Sequence, residues 1–201
     1  MVYTPVGWAN DTTHPLSQAN MKTLDAGVLA AHDPLDVAEV TSGTAATLTL
    51  TVPAGVTSAR VVGTGRTDET ALRSFLRVGV NSINSTNAYR YHRRSWSGDT
   101  TTPAVTVDSQ ATFWAIGSCL AAASASTSEF GSLDLFFPTV AGDARKRVQW
   151  AASVFPTATT ADFVTVEGSG RVIGAATITT IVLSTPTAAF VAGTRYELRY
   201  A

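Results

Sequence analysis

The chain is poor in cysteine, histidine and charge, and each shortage excludes something. A single cysteine, Cys119, stands among 201 residues, so no disulfide framework can form within the chain. In the apolar run Ile116-Gly117-Ser118-Cys119-Leu120 it is expected to be a small buried side chain. The three histidines are His14, His32 and His92. With one cysteine they cannot supply a dedicated four-ligand zinc site. Gly-x-Ser-x-Gly, the strand-to-helix elbow of many serine hydrolases, does not occur. Charged residues make up only 14%, where globular domains carry about a quarter. A surface this short of charge fits a subunit whose neighbours cover part of it. At 45% hydrophobic, the chain is not of the disordered class.

The charge that exists is balanced, at net −1. Its densest basic clusters are Arg90, His92, Arg93, Arg94 and then Arg145, Lys146, Arg147. Nucleic-acid binding draws on phosphate neutralisation by a net positive domain, so no nucleic-acid partner is expected. No run of 18 apolar residues occurs, so no membrane insertion by a helix is expected. Met1–Pro5 lacks a basic segment leading into an apolar one, so no signal peptide is expected there.

The carboxylates do not declare a site either. Asp99, Asp108, Asp143 and Asp162 read as turn formers in loops, without the D-x-D-x-D-G spacing of a calcium loop. A glycosidase would need two carboxylates set across a cleft. Asp68, Glu69, Glu129, Asp134, Asp162 and Glu167 offer no evident pairing. Gly63-Thr64-Gly65 and Gly168-Ser169-Gly170 complete no phosphate-loop motif and read as strand-end turns or bulges. The expectation is therefore a protein that is not an enzyme, with no catalytic residue, no cofactor and no metal.

What is present falls into three zones, grouped as an attachment region (1–36) and a β domain (37–201). Met1–Asn10 reads as an extended arm, broken by Pro5, Gly7 and Asn10. A solvated arm has no use for Tyr3 and Trp8, so both are expected to anchor on a neighbour in an assembly. Pro15–His32 reads as a short α-helix, with Asp11, Thr12 and Thr13 as N-caps and Pro34 as the stop. Met21, Leu24, Val28 and Ala31 repeat at 3-4-3, the seam of a narrow helix–helix contact. These four are expected to mediate oligomerisation, as a homotrimer.

From Val37 the pattern becomes strand after strand. Thr47–Val52 alternates cleanly into the turn Pro53-Ala54-Gly55. Further strands are read at Ala59–Gly63, Leu72–Val80, Asn87–Trp96, Thr112–Ile116, Phe130–Phe137, Arg147–Val154, Phe163–Glu167, Thr177–Leu183 and Thr194–Tyr200. Short strands with turn signals between them predict an all-β, jelly-roll-like two-sheet sandwich. In Asn87–Trp96, alternation puts Tyr89, Tyr91 and Arg93 on one face. Arg90, His92, Arg94 and Trp96 fall on the other. Tyr91 is expected to be core, while Arg94 and Trp96 are the expected receptor or subunit contact.

Two stretches resemble bacteriophage virion proteins. Gly7-Trp8-Ala9-Asn10, followed by Pro15-Leu16 through Asn20-Met21 to Asp25, Gly27 and Val28, is similar to the openings of many tail and baseplate-associated subunits. Met21 and Asp25 stand where that pattern has Leu and Glu. Within the β domain, Leu76–Asn81 followed by Asn87–His92 resembles small phage structural proteins. The resemblance implies a virion structural protein of the minor tail or tail-fibre type, assembled in the host cytoplasm. Its partners would be copies of itself as a homotrimer, other virion proteins and a host cell-surface glycan. A head-fibre or capsid decoration protein is the near alternative, and a carbohydrate-binding module is the alternative of another class.

Overall fold

The structure is a computed structural model, which describes residues 33–85, 87–98, 102–142, 145–157, 163–174 and 177–201. Tyr3, Trp8, the helix over Pro15–His32 and its stripe Met21, Leu24, Val28, Ala31 lie outside the described residues. Pro34–Ala201 forms one compact unit, and its described residues are all-β, as the alternation predicts. Its strands are β1 (Asp36–Glu39), β2 (Thr44–Ala45), β3 (Thr47–Thr51), β4 (Ala59–Gly65), β5 (Arg73–Val80), β6 (Tyr89–Ser97) and β7 (Ala104–Ala111). They continue as β8 (Trp114–Ala121), β9 (Gly131–Phe137), β10 (Arg145–Val154), β11 (Val164–Ile173), β12 (Thr180–Ser184), β13 (Phe190–Val191) and β14 (Arg195–Tyr200).

Eight of these strands form one sheet in the order β1-β14-β4-β9-β10-β11-β6-β7. A second sheet, β3-β12-β5-β8, faces it, and β13 pairs with β2 in a small ribbon. Every pairing between these strands is antiparallel. The turn expected at Pro53-Ala54-Gly55 is there, with Gly55 at φ 87°, a left-handed conformation that a residue without Cβ adopts freely.

Alternation decides which side chains meet between the sheets. Leu76, Val78 and Val80 of β5, Ile181 and Leu183 of β12, and Leu133, Leu135 and Phe137 of β9 are all buried. At the centre lies Trp114, fully buried, with its indole N–H donating to the carbonyl of Arg171 at 3.3 Å. Tyr89 meets it edge-on at 5.0 Å, an arrangement that aromatic quadrupoles favour. The Tyr89 hydroxyl accepts from Val80 N–H at 2.9 Å and donates to the Ile83 carbonyl at 3.1 Å. A buried polar tip is thereby satisfied.

Two expectations need correcting. Gly168-Ser169-Gly170 is no strand-end turn, because it lies in the middle of β11. At period two both glycines point inward, and the aromatic core occupies the room they leave. A Cβ on Gly168 would stand 2.2 Å from the Trp150 ring, and one on Gly170 would stand 2.7 Å from that of Trp114. Gly63-Thr64-Gly65 does stand at a strand end, as the last three residues of β4, but it is extended strand and no turn, and a Cβ on either glycine would strike Tyr196. Asp108 is not in a loop but in β7, a strand that polar Thr106, Ser109 and Gln110 obscured. Residues 99, 143 and 162 lie outside the described set. Alternation also splits the second basic cluster, since Arg145 and Arg147 are exposed while Lys146 is fully buried.

Candidate binding site

The outer face of the eight-stranded sheet is built in rows, because register aligns outward residues across neighbouring strands. In one row Arg90 of β6 stands opposite Arg171 of β11, and Arg171 stands opposite Arg147 of β10. The next row runs His92, Ser169, Gln149 and Phe136. The third runs Arg94, Glu167, Ala151 and Asp134. The first two rows border a shallow depression of about 500 Å³, floored by β6, β10 and β11 and flanked by Val107 and Asp108 of β7. The two basic clusters of the sequence, some fifty residues apart, therefore meet here because β11 is inserted between them.

The electrostatics of this row are unusual. Like charges placed directly opposite in a sheet are destabilising, yet three guanidiniums share a row here. Among the described residues none of Arg90, Arg147 and Arg171 has an ion pair or a side-chain hydrogen bond. In the second row the Ser169 hydroxyl lies 3.3 Å from His92 Nε2, while the Gln149 amide is exposed. Among the described residues the one carboxylate at the rim, Asp108, is engaged with the Tyr91 hydroxyl. Burial first, and Asp108 next, push the Tyr91 phenol above its ordinary range.

In β4 and β14, on the other half of the same face, the arginines are paired. Arg60 of β4 grips Asp134 of β9 through two nitrogens, Nε at 2.7 Å. Arg195 donates to Glu39 at 2.7 Å and to Glu197 at 3.0 Å, and Arg199 holds the other oxygen of Glu197. Arg199 and then Arg195 keep the Glu197 carboxyl below the usual range.

The face expected for Tyr89–Trp96 is the one found. Tyr89 and Tyr91 point into the core, at 0% and 8% exposure, and Tyr91 packs against Trp150 at 6.4 Å. Arg93 shares that side and donates to the Ala115 carbonyl at 3.0 Å. Of the expected contact pair, Arg94 is exposed, opposite Glu167 and Val105. Trp96 is half-buried opposite Thr165. Arg94 lines a second shallow depression with His92, Glu167 and Ser169, which Trp96 does not border. Arg147, from the second basic cluster, and Arg171, which the sequence did not single out, complete the arginine row. Each sits at an outward position of an alternating strand, which was readable. That they align was not, because it depends on strand order.

Chemically, the face is rich in hydrogen-bond donors. Each guanidinium offers a planar fork of N–H donors matched to carboxylate or phosphate oxygens. Cys119 is fully buried, and burial pushes its thiol up to about 12, which keeps it protonated and unreactive. Of the glycosidase candidates, Asp134 is held by Arg60. Among the described residues no three His, Cys, Asp or Glu side chains gather as a metal-holding group. No protein-family model matches this chain, and no curated protein or solved structure resembles it closely enough to stand as a relative.

Proposed function

We propose that the chain is a non-enzymatic structural subunit of a bacteriophage particle, of the minor tail or tail-fibre type. It works as a homotrimer, with the outer face of its larger sheet turned toward the host surface. The observation that carries this reading is the free edge of that sheet. β7 runs eight residues with no strand beyond it among the described residues. Its outward Val105 and Val107 are 64% and 74% exposed. An unpaired edge that exposes two valines is a liability that single-chain proteins blunt with charge, proline or a covering element, and the one charge in β7, Asp108, is engaged with the Tyr91 hydroxyl. A subunit can leave it for a neighbouring copy to cover. The low overall charge and the Gly7–Val28 pattern support the same reading.

Two measurements test it. Light scattering of the full chain should give three times the chain mass at micromolar concentration, and a stable monomer would refute the trimer. Mass spectrometry of purified phage particles should find its peptides in tails. Their absence from all particles would refute the virion role, whereas their presence in heads alone would favour a decoration protein.

A further inference from the structure

From the arginine row we infer a binding site for an acidic oligosaccharide, one that carries carboxylate or phosphate groups at close repeat. Neighbouring strands lie about 4.8 Å apart, so Arg90, Arg171 and Arg147 project from a line about 10 Å long across β6, β11 and β10. A single anion would be met by all three only if the two outer side chains converged on the middle one, whereas a ligand with repeated anions can engage each guanidinium separately. Placing these like charges in register disfavours the folded chain by itself, and no carboxylate of the described residues pairs with them. Among the described residues the row thus lacks a counter-charge, and an anion from outside can supply it.

The surroundings select a saccharide over other polyanions. The second row offers a hydroxyl, an imidazole and an amide from Ser169, His92 and Gln149, which are hydrogen-bonding partners for sugar hydroxyls. Exposed Val107 at the flank offers an apolar surface to the C–H face of a ring. Single-stranded nucleic acid would want aromatic faces on which to stack bases. The aromatic that borders the depression, Tyr91, is only 8% exposed and packed against Trp150. The chain as a whole is net negative, which works against long-range capture of nucleic acid. This site differs from the Arg94–Trp96 contact expected from sequence, because it uses the neighbouring rows and two further strands. Presenting such a glycan at a host surface rests on the role proposed above, whereas the binding itself does not.

The test uses the full chain and defined probes in calorimetric titration. A galacturonate hexamer carries the carboxylate arm and a glycerol-phosphate oligomer the phosphate arm. Maltohexaose is the neutral control and a twelve-nucleotide single strand the nucleic-acid control. At least one acidic probe should bind, more weakly as salt rises, and whichever binds identifies the anion. Arg171→Gln should weaken that binding about tenfold, as loss of one charge-assisted contact does. Arg171→Lys should recover only part of it, because the point charge remains without the fork. Arg60→Gln, in the paired part of the face, should leave it unchanged. Single substitutions Arg90→Gln and Arg147→Gln repeat the test if Arg171→Gln fails to fold. The inference is overturned if neither acidic probe binds, if maltohexaose binds equally well, or if the single strand binds more tightly than both. Retention of binding by all three Arg→Gln variants also overturns it. A null result here would leave the particle and trimer measurements untouched.

Discussion

The two ends of one sheet face use arginine in opposite ways. Across β1, β14, β4 and β9, Arg60, Arg195 and Arg199 each meet a carboxylate on a neighbouring strand or two residues along their own. Across β10, β11 and β6, Arg147, Arg171 and Arg90 meet one another. Both ends rest on the same buried layer, with Leu135, Val61 and Leu198 below one and Trp114, Trp150 and Tyr91 below the other. The contrast teaches where to look for function. A local rule kept is folding chemistry, and a local rule broken without compensation inside the chain marks a place kept for something else.

The comparison is broken most severely from below. Trp114→Ala empties the centre of the shared core and should destabilise the domain by about 3–5 kcal/mol, measured by urea unfolding. It should disturb the arginine row as well, since the Trp114 indole N–H is bonded to the backbone of Arg171. Gly168→Ala should cost about 1–3 kcal/mol, because its Cβ would stand 2.2 Å from the Trp150 ring with no room to yield.

Alkali probes the buried layer without mutation. The Cys119 thiol is pushed by burial from an ordinary value of 9.0 to about 12, and burial also raises the phenols of Tyr89 and Tyr196. Each is an acid that stays protonated longer in the folded state than in the unfolded one. Their contribution is therefore complete below about pH 9 and is lost as pH rises toward 12. Melting temperature should hold from pH 7 to 9 and fall beyond it. In Cys119→Ala the fall should be shallower.

Much of this was legible in the chain. Period-two alternation located the strands β9, β10 and β14, and it assigned both faces of β6 correctly through Arg94. Two features were hidden for physical reasons. Glycines at alternate positions look like breakers when read one strand at a time, and the aromatics they accommodate belong to other strands. The arginine row was hidden because register between β6 and β10 passes through β11, which follows both in sequence yet lies between them in the sheet. Alternation tells which face a residue takes, and only pairing tells what stands beside it.

Smaller effects sharpen the contrast between the two ends. Asp134→Asn removes the partner of an exposed arginine and should cost about 0.2–1 kcal/mol, an effect that added salt should shrink. Glu197→Gln should cost a similar amount near neutral pH. Since Arg199 and Arg195 hold its carboxyl below the usual range, that cost should vanish as the wild-type carboxyl is protonated in acid.

Urea unfolding of Arg171→Gln beside Arg60→Gln tests the central claim most directly. If the arginine row serves an outside partner, Arg171→Gln relieves repulsion and should unfold at the wild-type midpoint or slightly above it, by a few tenths of a kcal/mol. Arg60→Gln should fall below wild type by about 0.2–1 kcal/mol. A loss of more than about 1 kcal/mol in Arg171→Gln, equal to or greater than that of Arg60→Gln, would make the row part of the folding chemistry and contradict the account.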